Sequence, residues 1–581
     1  MRLRKARHTA GALFRRVFGR LPRFLHLLLA AAVPLTVPMV VPAQQPAQAG
    51  ASVTAGASAR ETPSAQPGHP PGHANTSTAG PQVPVTPPTP ATPAALQTPA
   101  AEPVGVPGHA HTPATVTPET HAAPAANPAN PHATHDETGA RGDKHTGRAA
   151  GAGHTSHKAA MEMFGMMMGR NGQFTSPTGS GTMWQPASTP MHMLHWLKGD
   201  WMFMLHAEAK IGVNSQGGPR GVTKFESQNW LMAMATRKAG RGKLELRGMF
   251  SLEPLTLSGG GSPELFQTGE AYQGRPLRDA QHPHDLFMTL SASYTLPVGE
   301  KSSWFAYFGF PGEPALGPVA FMHRASAAEN PSAPLAHHLQ DSTHISFGVL
   351  TTGFTYRWFK VEGSVFNGRE PDEERYDIET GAWNSRSFRV QFAPNRNWAA
   401  QVSYGYLKNP EVLAPGDVRR TTASLSYNRQ LKRGNWASTV IWGRNREGHG
   451  DEPSTLNGYT AESTLQFMDK NYVYTRLELV DKDGLLDDED RELLGIDNHH
   501  PIFRIRAYTF GAARDFWETE KFTVALGGDM TFYSTPPILD PVYGGNPISY
   551  HFFLRFRLGR MSADPGVRGA AGSQASPHGG H

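Results

Sequence analysis

The chain has 581 residues, of which 61 are Gly and 49 Pro, and from Leu25 to Met163 it contains no Phe, Trp or Tyr, so about a quarter of it cannot build a packed core. Its formal charge of +5 comes from 54 basic against 49 acidic residues, yet eight of the basic ones precede position 25. The remainder carries 46 against 49, which excludes a nucleic-acid footprint. With no Cys, the sequence also excludes disulfides, thiolate zinc sites, iron–sulfur clusters and thiol catalysis.

Residues 1–49 read as a cleaved export signal. Arg2, Arg4, Lys5, Arg7, Arg15, Arg16, Arg20 and Arg23 precede the apolar run Leu25–Val41, and Ala47-Gln48-Ala49 supplies a small-x-small cleavage pattern before Gly50. The apolar run has 17 residues and is broken by Pro34 and Pro38, short of the ~20 of a spanning helix. Residues 50–160, rich in Ala, Pro, Thr and His, predict a disordered arm. Ten histidines between His69 and His157 make this arm either a solvated spacer or a dispersed metal-capturing segment. The tail 561–581 is similar in kind.

The segment 161–195 is Met- and His-rich. Ten of the twenty methionines fall between Met161 and Met204, among them the run Met161–Met168. Soft thioether sulfur selects Cu(I) over harder ions. Met191, His192, Met193 and His195, followed by Met202, Met204 and His206, therefore form one candidate ligand set for Cu(I). The competing reading is that these methionines fill gaps in a plug or rim.

From residue 196 to 560 the texture becomes period two. Tyr550–Leu558 alternates Tyr, Phe, Leu, Phe, Leu with His551, Phe553, Arg555 and Arg557, and Trp398–Tyr406 and Arg420–Asn428 alternate likewise. Candidate connections alternate in length: eight long ones near 213–224, 258–283, 311–343, 367–383, 407–417, 446–455, 484–501 and 535–547, and seven short ones between them. This predicts an all-β transmembrane antiparallel barrel of about 16 strands, within 14–18. The long loops, including those around Asn330 and Pro453, would face outward, and turns near Lys470 and Glu520 the periplasm. In the first strand Met202, Met204, His206, Glu208 and Lys210 point into the lumen, and in the third Lys243, Glu245, Arg247 and Met249 do so. Met232 and Met234 lie between with an ambiguous face, while Arg504, Arg506, Arg555 and Arg557 read as lumenal cations.

Two long loops hold a second candidate set. His282, His284 and Asp285 end one; Glu313, Met322, His323, His337, His338, Asp341 and His344 lie on the other. On a helix His337, Asp341 and His344 share one face, and imidazole with carboxylate suits Cu(II) or Zn(II). Gly312–Pro318 predicts a turned loop that folds inward as a constriction. The acids Glu370, Asp372, Glu373, Glu374 and Asp487–Asp490 read as a solvated, lipopolysaccharide-side surface. No Gly-x-Ser-x-Gly, HExxH or phosphate-binding glycine loop occurs, so catalysis is not expected.

The alternating strands over 196–560 resemble outer-membrane β-barrel proteins of the porin kind. The His-rich arm and Met-rich segment before a barrel resemble, in layout, outer-membrane copper resistance protein B, although its repeated Met-Asp-His motifs are missing here. The resemblance implies copper handling, with lipid, lipopolysaccharide, metal ions and periplasmic efflux components as partners. The alternative is a general diffusion porin or a structural barrel in which Met and His only pack.

Overall fold

The computed structural model describes residues 176–257, 260–448, 453–559 and 561–562. The leader, the arm, the run Met161–Met168 and the tail beyond residue 562 lie outside the described residues.

Sixteen antiparallel strands close into a barrel. In chain order they are β1 Trp201–Ser215, β2 Thr223–Ala239, β3 Gly242–Phe250, β4 Phe287–Pro297, β5 Ser302–Gly312, β6 Ser346–Tyr356, β7 Phe359–Asn367 and β8 Ser385–Asn395. The second half comprises β9 Trp398–Leu407, β10 Val418–Leu431, β11 Gly434–Glu447, β12 Ser454–Phe467, β13 Asn471–Lys482, β14 Phe503–Glu518, β15 Phe522–Ser534 and β16 Ile548–Leu558. Each strand pairs with its sequence neighbour, and β16 returns to β1 with Tyr550 opposite Ser215 and Arg557 opposite Glu208. A short strand, Leu194–Lys198, continues that edge against Trp201–Leu205, and Met191–His192 pairs with Met561–Ser562. The long and short connections fall where the length alternation predicts them.

Alternation explains why these segments close and sit in a membrane. Outward positions are apolar and solvent-accessible, for example Phe354, Val402, Leu425, Val440, Phe510 and Phe552. Inward neighbours are polar and buried, for example Arg389, Gln401, Arg420, Thr422 and Arg555. At the short-turn end the outer face carries Trp304, Trp358, Trp398, Trp436 and Trp517, an aromatic belt at one interface. A closed barrel satisfies every strand edge, which hydrocarbon demands.

The lumen is filled rather than open. The loop 313–345 is buried along almost its whole length, so the expected inward fold is observed. Asn330 is inside with it, contrary to the expectation of an external position. Helix α1 (His337–Gln340) packs on the wall where Gly443 and Gly458 stand opposite each other. A Cβ on Gly443 would come 2.2 Å from the Leu339 carbonyl oxygen, and one on Gly458 2.8 Å from Ala336 Cβ, so only Gly allows this approach. At the long-loop end an apolar cluster including Leu265, Phe266, Leu335, Leu339, Leu485, Phe503, Ile505 and Tyr543 caps the barrel. Phe503, Ile505 and Ala507 take the inward positions of β14 in this cluster. Arg504 and Arg506 therefore face outward, which corrects their reading as lumenal cations.

Candidate functional site

One side of the lumen is held by ion pairs. Arg324 of the inward loop donates to Asp341 (2.6 Å), to Glu462 on β12 (2.9 Å) and to the Val319 carbonyl (2.8 Å). Arg389 on β8 donates to Glu362 (2.7 Å) and to the Gly317 carbonyl (2.8 Å). Arg420 on β10 reaches the His338 carbonyl (2.6 Å) and Ser342 Oγ (2.8 Å). Arg555 and Arg557 on β16 grip Glu329, and Arg557 also pairs with Glu208. These two are lumenal, as alternation predicts, but their charge is spent on carboxylates and offers no open anion path. The segment 176–190 lies at the short-turn end, where Trp184 N donates to Gln391 (2.8 Å) and Asn428 Nδ2 to the Ser188 carbonyl (2.7 Å).

Against β1–β5 a cavity of about 460 Å³ remains. It is lined by Met191, His192, Met193, Met204 and His206 of the first candidate set, joined by Met232, Met234, Met322 and His323. Two members stand apart: Met202 is buried on β1 outside this lining, and His195 is exposed opposite Met204. The ambiguity of Met232 is resolved inward, where it packs with Met249 and Met288. His323 contacts Met249 Sδ through Nε2 at 3.4 Å. Burial pushes the His323 imidazole down to about 3, so the ring is neutral. The sequence names Met322 and His323 but gives no sign that they meet the methionines of β2 and β3; only the loop's path does.

A second, smaller cavity of about 50 Å³ adjoins the first, sharing Glu208, Trp230, Met322 and Ala328, and is lined by His282 and His284. Of the second set His282, His284 and Met322 line it, and His344 and His337 follow behind His284. Helix α1 stops at Gln340 and Asp341 breaks it (φ −137°, ψ 16°), so the single helical face expected for His337, Asp341 and His344 is not formed. They meet by another route. His337 Nδ1 pairs with Asp341 Oδ1 (2.7 Å), and His344 Nδ1 with the Asp341 carbonyl (2.8 Å). His284 Nδ1 pairs with Glu253 (2.7 Å), His282 Nε2 with Glu270 (2.5 Å), and Asp285 with Arg375 (3.3 Å). Glu253 and Glu270 were not legible as partners, because they come from the loop and hairpin preceding β4.

The rings form a chain, with centroids 5.3 Å apart for His284–His344 and 5.2 Å for His337–His344. The Nε2 atoms of His284 and His344 are buried without a partner among the described residues. A carboxylate or carbonyl on one nitrogen with the other left free is the wiring of a metal-binding imidazole. The donors are not converged, however. Among the described residues the His/Asp/Glu triple with all donor atoms within 4.8 Å is Asp372, Asp377 and Glu379, in the loop 368–384.

No family model and no curated protein matches the sequence. Among solved structures the chain is similar to the anion-selective porin from Comamonas acidovorans, at 11% identity over 61% of this chain and 99% of that one, TM-score 0.36. It is also similar to Pseudomonas putida OprB (10%, covering 62% and 94%, TM-score 0.40) and to Pseudomonas aeruginosa OpdK with vanillate (10%, covering 61% and 98%, TM-score 0.32). The closed sixteen-strand topology, apolar outer band and inward loop define an antiparallel β-barrel of the membrane-spanning kind. The likeness to copper resistance protein B rests on sequence layout alone.

Proposed function

We propose that this protein is a porin-type channel with a restricted passage, not an open sieve. The observation that carries the reading is the lumen itself: two buried segments fill it and leave adjoining cavities along β1–β5. Short turns and residues 176–193 face the periplasm in this reading, with the arm and tail on the same side. Single-channel recording in planar bilayers tests it. The parent should show small conductance steps, and replacing residues 315–343 with a short Gly linker should raise them several-fold. Large, sieve-like steps in the parent, or a silent loop-deleted barrel, would sink the restricted-channel reading.

A second reading, copper handling, is favoured by the Met and His lining of the larger cavity. The ion is then cargo, taken as Cu(I) by thioether and imidazole, or as Cu(II) or Zn(II) at the His/Asp chain. Periplasmic efflux components would be its partners. Metal-dependent growth of a strain lacking this gene tests that reading: greater copper sensitivity supports it, and unchanged tolerance opposes it.

A further inference from the structure

The register of β1, β2 and β3 places His206 opposite Met232 and Met232 opposite Met249, one row of donors across three strands. Cross-strand partners hold their Cβ atoms about 4.5–5.5 Å apart on one face. The inward loop sets His323 on the end of this row, its Nε2 3.4 Å from Met249 Sδ and its ring centroid 6.3 Å from that of His206. Trp230 shares the face of Met232 and touches both imidazoles, with centroids 4.5 Å from His206 and 4.8 Å from His323. Glu208, the carboxylate next along β1, is already bound by Arg557 and Lys210.

We propose that His206, Met232, Met249 and His323, flanked by Trp230, form a binding site for one soft closed-shell cation, Cu(I), with Ag(I) as its redox-inert analogue. This deepens the copper-handling reading and rests on it. Two thioethers and two imidazoles supply soft and borderline donors without a free carboxylate, which selects Cu(I) and Ag(I) over Zn(II) or Ca(II). The indole adds an attractive π face for a monovalent ion in a buried, water-poor setting. The site draws its ligands from three wall strands and the plugging loop, so a bound ion would also pin that loop.

The test is anaerobic Cu(I) titration of the full chain in detergent against a competing chromophoric chelator, repeated with Ag(I). The parent should bind one equivalent tightly. Met232→Leu with Met249→Leu conserves volume, so the barrel should keep its heat-modifiable migration while affinity falls tenfold or more. His323→Ala, which leaves the barrel wall untouched, should lower it by a similar factor. If the parent binds and both variants bind equally well, this site is overturned while copper handling survives with ligands elsewhere, such as Met191 and Met193. If the parent binds neither ion, the site and the copper reading fall together.

Discussion

The two sides of the lumen solve the same problem in opposite ways. From β7 to β16 many inward positions are guanidinium and carboxylate groups: Arg389, Arg420, Arg476, Arg555 and Arg557 clasp the plugging loop by its carbonyls and acids, and the loop's own Arg324 reaches back to Glu462 on the wall. From β1 to β4 the inward positions add to local charge pairs such as Glu245–Arg247 a set of Met, His and Trp side chains, which make few directional bonds and leave space. Buried charge needs convergent partners and so fixes geometry. Thioether and indole surfaces demand none, so the larger cavity lies along their side.

The sharpest way to break this contrast is to remove the central tether. Arg324→Ala removes the guanidinium shared by Asp341 and Glu462 in a buried setting, leaving Asp341 with His337 and Glu462 with Arg476, and loss of one partner from such a buried pair costs up to about 3–5 kcal/mol. Thermal unfolding in detergent should drop markedly, and single-channel conductance should rise. A variant as closed as the parent would mean that the apolar cap at the long-loop end, not the ion pairs, holds the plug.

A smaller effect is expected at the His chain. His284→Ala with His344→Ala removes the two imidazoles whose buried Nε2 atoms lack partners among the described residues. Zn(II) affinity, followed by calorimetry, should fall about tenfold while Cu(I) binding stays within twofold. Equal losses for both ions would merge the two cavities into one site and erase the distinction drawn between them.

Glu313 gives a pH-dependent test of the clasped side. Burial pushes its carboxyl up to about 7, against the pull of Arg389 at 3.9 Å. A carboxyl raised in the folded state stabilises fully below its unfolded value of about 4.3 and loses that contribution as pH climbs to 7. The parent should therefore lose melting temperature between about pH 4.3 and 7, and Glu313→Gln should lose less. Melting curves at pH 5 and pH 8 check the sign; identical slopes would count against a buried, protonated Glu313.

The smallest perturbation maps the two ends. Single cysteines in this Cys-free chain at Leu413 and Lys470, both exposed, should change stability by less than ~0.5 kcal/mol. Leu413→Cys should react with an impermeant maleimide on intact cells and Lys470→Cys only after lysis. The reverse pattern would invert the orientation.

Most of the architecture was written in the sequence because a period of two leaves each strand only one workable face. Tyr550, Phe552 and Leu554 face out and His551, Phe553, Arg555 and Arg557 in, as their alternation requires. The reading failed where a strand extends past the lipid into the apolar cap. There inside means a hydrophobic core, so Phe503 and Ile505 displaced Arg504 and Arg506 from the lumen. The site was legible only strand by strand. His206 and Met249 could be placed on the correct face, but the approach of His323 to Met249 depends on a loop of 33 residues whose path is fixed by five distant wall arginines and two facing glycines. No local pattern encodes that path.

The edge of β1 is covered by two different stretches of chain: β16 takes residues 208–215, and Leu194–Lys198 takes 201–205. The pairing of Met191–His192 with Met561–Ser562 then joins residues some 370 positions apart. Contacts of such separation carry the greatest loop-closure cost and form late. Closure therefore depends on pairings between the two ends of the barrel sequence. A barrel lacking Ile548–Leu558 would expose residues 208–215 of β1 as a bare edge, which hydrocarbon does not tolerate, so this one strand seals the whole cylinder.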